Sequence, residues 1–501
     1  MPEKLPLIGR PPISYSSAAG KEHNVLNQIA HVAAAKKFYK ALWEQRDSIA
    51  ALARHHLGLD GHATCTVTDP RQWIQGSFNV CVFIEVSLAG QSRKFVFRCP
   101  MPYKLDGILE EKLSCEIGTY VWMQEQCPDV RIPHLFGFGC SDGRQFTHSK
   151  HRPFYIRVVH TFRRAVSSFL RRPILSQYTH HPASERVNFA YMLLEYIRPE
   201  MGEMLSNTWE THRGDPVRRE TLFRGLAQIM LSLSRIPQPR IGSFRFNSDA
   251  SVTLTNRPLS CSVAIFENDG TDETIEKDCT YNCTDAFVSD MLTLHDRRFL
   301  RQPNSVNSEC DCRGQMAVKT LLRAISHRYM KRDYRNGPFL LQLTDFNQSN
   351  IFVDPEWNVK CLIDLEWICA LPVEMLDVPF WLTGCSLDEI EGERFEEYDI
   401  ARQEFTQILE LQEHKVTAEH GIPVARIIKE MWKSKGMWFW HCISSVNAMY
   451  FLLEKHLCPP ILSTNLEKAL SEFWCEDAQG YVAEKLAEKA MYDEELKALF
   501  S

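Results

Sequence analysis

Apolar residues recur at helical spacing across residues 21–58, where Val25, Ile29, Val32 and Phe38 alternate with Ala and Lys; the pattern predicts helix. The texture changes at Val67. From there to Pro100 the chain is rich in Val, Phe, Ile and Cys, with Gly76 and Ala89-Gly90 as punctuation. That pattern predicts two strands, over 78–86 and 94–98, joined by a turn. Residues 110–125 read as helix, 154–159 as a strand, and Tyr191-Met-Leu-Leu-Glu195 as a short buried strand. Helical patterning then takes over at 218–235, where Leu222, Leu226, Ile229 and Met230 share a face, and again at 315–329. The intervening residues 245–312 look irregular and polar. Two short strands, 351–353 and 360–363, flank a loop, and from residue 390 onward the pattern is helical. Residues 1–20 carry several Pro and Ser without a period and read as a flexible lead-in. The uncharged stretch 436–453 contains His441, Ser444, Ser445 and Asn447; it predicts a buried aromatic-rich helix and no membrane span.

This order of elements predicts an α+β protein. A small antiparallel-sheet unit over 65–197 follows an N-terminal extension with a helix (1–64). A larger helical unit over 198–501 carries an insertion at 245–312. The length of 501 residues fits two packed parts, and 44% hydrophobic with 24% charged residues excludes a mostly disordered chain. The net charge of -6 excludes a globally basic nucleic-acid binder. The 17 cysteines, with no basic segment and apolar run at the start, lead to the expectation of reduced thiols and a cytoplasmic protein.

The chemistry concentrates in Leu343-Thr-Asp345-Phe-Asn-Gln-Ser-Asn350-Ile-Phe-Val-Asp, followed by Cys361-Leu-Ile-Asp364-Leu-Glu366-Trp. An Asp and an Asn five apart precede one strand, and a second Asp ends the next. Phosphoryl transfer uses such a set. One carboxylate orients the attacking hydroxyl and takes its proton; an amide oxygen and another carboxylate hold Mg²⁺ against the triphosphate.

These phrases resemble the catalytic and metal-binding loops of the protein-kinase-like superfamily. More closely, they resemble the aminoglycoside-phosphotransferase (phosphotransferase enzyme) family in its divergent fungal form. The resemblance implies a two-lobe fold, a small antiparallel-sheet N-lobe on a large helical C-lobe, binding ATP and Mg²⁺. It implies Asp345 as catalytic base, Asn350 and Asp364 as metal ligands, and Glu366 as the second acid of the metal motif. Upstream, Gly76-Ser77-Phe78-Asn79 resembles the glycine loop over the phosphates, with Gly76, Ser77 and Asn79 as contacts. Arg98 stands where kinases place the phosphate-holding Lys, Val96 shares its face toward the adenine pocket, and Glu116 matches the acid that pairs with that cation. Leu194-Glu195-Tyr196-Ile197 resembles the inter-lobe hinge, whose backbone, at Glu195 and Ile197, bonds adenine. Leu343 stands where the family usually has His, Thr344 where it often has Gly, and Arg98 replaces Lys, with a fork of donors in place of a point charge.

The implied function is transfer of the γ-phosphate to a hydroxyl of a small-molecule acceptor, with no nucleic-acid or membrane partner. A small acceptor is favoured over a protein because no Ala-Pro-Glu follows Asp364. The alternative is a nucleotide-binding pseudokinase acting as a binding module.

Three other features stand out. Residues 144–184 hold eight Arg or Lys, five His and no acid, which reads as a solvated insertion in preference to an anion-binding surface. Residues 387–404 carry eight acids against two Arg, as an exposed helix face does. Cys279, Cys283, Cys310 and Cys312 have spacings unlike zinc knuckles and read as loop thiols.

Overall fold

The computed structural model describes residues 4–59, 62–88, 90–416, 421–458 and 464–501. Ala89 of the expected turn, the first three residues of the lead-in, and 417–420 and 459–463 of the C-terminal helical run lie outside them. The chain is a mixed α/β protein with small antiparallel sheets and many helices.

The largest sheet runs in the order Tyr178–His180, Gln145–His148, Leu135–Gly139, Tyr191–Glu195, Gln91–Pro100, Asn79–Leu88 and Thr64–Val67, with Ile74–Gln75 also paired to Asn79–Leu88. Alternation explains its two faces. Val80, Val82, Ile84 and Val86 point to one side, with Phe97, Tyr191 and Leu193, and pack under Ile49, Leu52 and Ala53 of the Arg46–Leu57 helix and Phe38 and Leu42 of Val25–Glu44. Phe138, Phe146, Met192 and Leu194 belong to the opposite cluster, with Leu113, Ile117, Tyr120 and Val121 of the Leu109–Gln126 helix. Gly137 is required here, because a Cβ would stand 2.3 Å from His56 Nδ1 and 2.8 Å from the Phe146 carbonyl oxygen.

The second cluster continues without a break into the helices of the C-terminal half, through Phe223, Phe287, Tyr398, Phe405 and Ile428. Two small ladders lie inside it. Phe339–Leu343 pairs with Ile368–Pro372, and Ile351–Val353 pairs with Val359–Leu362 and with Glu203–Met204. Among the described residues, no helix is long and apolar enough to cross a membrane.

Several local expectations change. The lead-in is ordered: Lys4–Leu7 pairs with Arg10–Ser14, and Ile13 and Ala18 pack with Val25, Tyr492 and Leu496, so a distant partner supplies the burial that the segment's own pattern lacks. Residues 154–159 start a helix, Phe154–Phe169, where a strand was expected. The window Phe-Tyr-Ile-Arg-Val-Val has strand composition, and only the longer stretch reveals its period. Residues 245–312 are not irregular. They contain the pair Ser243–Phe246 and Ser251–Asn256 and the helices Cys261–Asn268 and Thr284–Arg301, and they send Phe246, Val263, Phe266, Phe287 and Met291 into the main core. Much of their polarity is internal: Arg257 is fully buried, bidentate to Glu111 at 2.8 and 2.9 Å and to Glu267 at 2.5 and 2.7 Å. The stretch 436–453 is mostly buried, with Asn447 and Tyr450 exposed, and it is not one helix: Gly436–Ser444 ends before a second short one, Met449–Leu452.

Candidate functional site

The ladder Phe339–Leu343 with Ile368–Pro372 places Asp345. Leu343 pairs with Ile368, and the next residue, Thr344, fixes the loop. Its Oγ1 donates to the Trp367 carbonyl at 2.7 Å and accepts the Cys261 amide at 3.0 Å. Thr344 thus braces this loop through its hydroxyl. Asn347 accepts the Ser349 amide at 2.9 Å through Oδ1, capping the turn Gln348–Asn350, and its Nδ2 reaches Asp345 Oδ1 at 3.3 Å. Asn350 Nδ2 donates to the main-chain carbonyl of Asp345 at 2.7 Å, which ties the two ends of the loop together.

Asn350 opens the strand Ile351–Val353, and the ladder brings the chain back beside it, with the Ile363 amide on the Asn350 carbonyl at 2.9 Å. Asp364 follows with φ +61°, a left-handed conformation that Asp tolerates better than most residues. Glu366 comes two residues later.

These acids meet the sheet and the Leu109–Gln126 helix. Arg98 Nη1 bonds Glu116 Oε1; Nη2 reaches Asp364 Oδ1 at 2.6 Å and Glu366 Oε2 at 3.2 Å. Lys112, one helical turn before Glu116, holds Glu116 Oε2 at 2.8 Å, Glu366 Oε2 at 2.5 Å and Asn79 Oδ1 at 2.9 Å. Asn79 Nδ2 closes the ring on Glu366 Oε2 at 2.7 Å. Glu116 and Lys112 are fully buried, whereas the Asp364 side chain is 28% exposed.

The charge states follow from this arrangement. Burial pushes the Asp364 carboxyl up to about 7, the pull of Arg98 is smaller, and Glu366 and Glu116 add to the rise. Burial also works against the Glu366 charge, but Lys112 and Arg98 outweigh it and hold the group below its usual range. Asp345 is raised by burial and then by the charge of Glu366, with Asn347 opposing. Burial raises the half-buried Cys261 thiol, and the charges of Asp345, Glu366 and Asp364 add to the rise, so the groups share one neighbourhood.

The remaining expected contacts fall into two groups. Gly76 and Ser77 form the exposed tip of the hairpin between Ile74–Gln75 and Asn79–Leu88, and the Gly76 amide bonds the Asn79 carbonyl at 2.9 Å. Phe78 docks that hairpin edge-on against Trp367, with centroids 5.0 Å apart. Asn79 itself points into the ion cluster with both ends of its amide engaged. Val96 is half-buried opposite Leu194. Glu195 and Ile197 take no part in the ion cluster. The Glu195 carboxylate accepts Arg131 at 2.8 Å and the His134 amide at 3.1 Å, its backbone amide is taken by the His134 carbonyl, and Ile197 is buried.

Asp345 also borders a cavity of about 600 Å³. Its walls are largely apolar, with Ile229, Leu233, Phe287, Met291, Phe380 and Trp381, and carry the pair His441 Nε2 and Asp377 Oδ2 at 2.7 Å. Among the described residues, Ser445 Oγ and Trp381 Nε1 on this lining are buried without a hydrogen-bond partner.

Sequence reasoning missed Lys112, Asp377 and His441. Lys112 was accessible, because it lies four residues before an inward Glu116 and therefore on the same helix face. Asp377 and His441 carry no local signal; only the fold brings them together.

Donor chemistry tests the fit of a divalent cation. Asp364 has one carboxylate oxygen on Arg98 and is partly open, and Asn350 uses its amide nitrogen on Asp345, leaving the amide oxygen. An amide oxygen and a carboxylate suit a hard cation such as Mg²⁺. Glu366 is enclosed by Lys112, Arg98 and Asn79 and serves as their counter-ion. No cluster of three or more His, Cys, Asp or Glu able to hold a metal is found among the described residues.

No family model matches the chain, and no curated protein matches it. Among solved structures, the chain has some likeness to an ethanolamine kinase of Plasmodium vivax, at 12% identity over 81% of each chain with a TM-score of 0.36. A likeness of that size assigns neither fold nor activity.

Proposed function

We propose that the protein is an ATP- and Mg²⁺-dependent phosphotransferase of the two-lobe, protein-kinase-like kind that phosphorylates a hydroxyl of a small molecule. The observation that carries this reading is the closed chain Glu116–Arg98–Asp364. A buried acid on a helix, a strand cation and a metal-motif carboxylate form one contact set, as nucleotide phosphotransfer by kinases needs. Asp345 lines the neighbouring cavity, which has room for a small acceptor.

In this reading Asn350 and Asp364 hold Mg²⁺, which when bound with ATP supplies charge neutralisation at the phosphates. Asp345 receives the acceptor hydroxyl's proton on its carboxylate. Its raised proton affinity suits that role, because a general base works best with a pKa brought nearer the working pH. Asn350 and Asn347 fix the loop, and Arg98, set by Glu116, faces the phosphates. Gly76 and Ser77 at the hairpin tip cover them, and the backbone at Glu195 and Ile197, with Val96, borders the base. The apolar walls exclude water from the transfer.

One observation favours the pseudokinase reading. Both terminal nitrogens of Arg98 are already committed to three carboxylates, so the position expected to grip phosphate is filled from within.

Thermal unfolding with ATP, with and without Mg²⁺, separates the readings. A nucleotide at about 100-fold its dissociation constant stabilises the fold by roughly 2.7 kcal/mol. A Mg²⁺-dependent rise in Tm that Asp364→Asn abolishes is expected. With that rise in hand, Asp345→Asn should lower phosphate release from ATP by about 10²–10⁴-fold while keeping the thermal shift. Absence of a shift with any nucleotide overturns both readings; a shift without turnover leaves the binding module.

A further inference from the structure

The Phe154–Phe169 helix is built inside out. At 3.6 residues per turn, Phe154, Tyr155, Val158, Val159, Phe162, Val166, Phe169 and Leu170 fall within an arc of about 160°. That arc faces solvent: Phe154 is 76% exposed, Phe162 70% and Phe169 87%. The opposite, polar side holds the helix to the body. His160 Nε2 bonds the Ser176 carbonyl at 2.8 Å; Arg164 gives Nε to the Leu175 carbonyl at 2.9 Å and Nη2 to Glu125 at 2.6 Å. A helix that spends its polar groups inward and its aromatic rings outward leaves a large apolar face uncovered, and such faces mark interaction sites.

The surrounding charge identifies what covers it. Arg163 lies about 20° past one edge of the apolar arc and Arg157 about 60° past the other, with Arg171 and Arg172 just past the helix end. Arg157, Arg171 and Arg172 are exposed and, among the described residues, form no ion pair. No acid occurs from Arg144 to Ser184. A second copy of the chain related by a two-fold axis would set this basic rim against itself. A surface with an apolar interior and anionic headgroups matches both features at once: rings enter the acyl boundary while the flanking arginines stay at headgroup level.

We propose that the Phe154–Phe169 helix docks the protein on an anionic lipid bilayer, lying in the plane of the surface. The helix spans about 24 Å at 1.5 Å per residue and lies on the membrane without crossing it. The sequence alone gave the expectation of no membrane partner; the outward direction of the rings is what changes it.

The test is co-sedimentation of the full-length protein with vesicles of phosphatidylcholine alone and of equimolar phosphatidylcholine and phosphatidylserine. Sedimentation with the mixed vesicles, weak with phosphatidylcholine and reduced by salt, is expected. Phe162→Ser with Phe169→Ser should lower the partition by roughly tenfold or more, given the cost of exposing a ring to water. Arg157→Gln with Arg171→Gln and Arg172→Gln should weaken binding only to the anionic vesicles. Unchanged Tm and elution volume of these variants show that folding is intact. Failure to sediment with the mixed vesicles overturns the proposal, as does binding indifferent to the Phe variants. A wild-type dimer that Phe162→Ser dissolves, or face-dependent binding of single-stranded RNA, in the absence of vesicle binding, overturns it equally.

Discussion

Two helices of this protein depart from the ordinary amphipathic rule in opposite directions. Leu109–Gln126 carries charge into the interior: Glu111, Lys112 and Glu116 are all buried. Phe154–Phe169 carries aromatic rings out to solvent. In the first, every inward charge meets an opposite charge, Glu111 on Arg257 and Lys112 and Glu116 within the Arg98–Glu366 cluster. In the second, the outward rings of Phe154, Tyr155, Phe162 and Phe169 are all more than half exposed. A buried charge with partners belongs to a site that the fold itself completes, whereas an exposed apolar face belongs to a surface that another body completes.

The sharpest way to break this contrast is to remove one inward partner. Lys112→Met leaves Arg98 as the one cation shared by Glu116 and Glu366 in this cluster, and should cost about 3–5 kcal/mol in denaturant unfolding. Adding Glu366→Gln should recover part of that loss, and simple additivity of the two substitutions would show that the pair is not coupled.

Packing gives the next effect. A Cβ on Gly118 would stand 2.9 Å from Phe244 Cβ and 3.2 Å from the Phe244 carbonyl carbon, so Gly118→Ala should destabilise by about 1–3 kcal/mol. Ala165→Leu on the outward helix, where residue 165 is exposed, should be near neutral.

A pH series sharpens the comparison further. The folded protein holds the Asp364 proton more tightly than the unfolded chain does. The resulting stabilisation is complete below the ordinary value of 3.8 and is lost as the pH rises towards about 7. Wild type should therefore lose more Tm than Asp364→Asn over that window, and parallel curves would remove the buried site from the account. The smallest effect is expected at Phe162→Ser, within about 0.5 kcal/mol in unfolding, because the ring has little to lose on the free protein.

Order of elements and the loop Asp345–Asn350–Asp364 were legible from sequence because their signals are local: alternation, helical period and fixed spacing. The pairing of Arg98 with Glu116 rested on a resemblance, and the two are in contact. Lys112 escaped because a Lys on a helix ordinarily reads as solvated. The lead-in and residues 245–312 were misread as irregular for a shared reason, since their side chains find partners far away in the chain, Tyr492 and Leu496 for Ile13 and Ala18 and Glu111 for Arg257. The 154–159 strand was a reading of composition over a window shorter than two helical turns.

The pairing of Leu343 with Ile368 has a consequence for how the site comes apart. Residues 344–367 leave and re-enter the same two-stranded ladder, and Asp345, Asn350, Asp364 and Glu366 all ride on that single excursion. Its base is buried at Leu340 and Leu341, so hydrogen exchange at those amides tracks global unfolding, while the turn at Pro355 and Glu356 is exposed at the far end of the excursion. A protease that cut at that turn would therefore leave two chain ends still clasped by the ladder, with all four site residues in register.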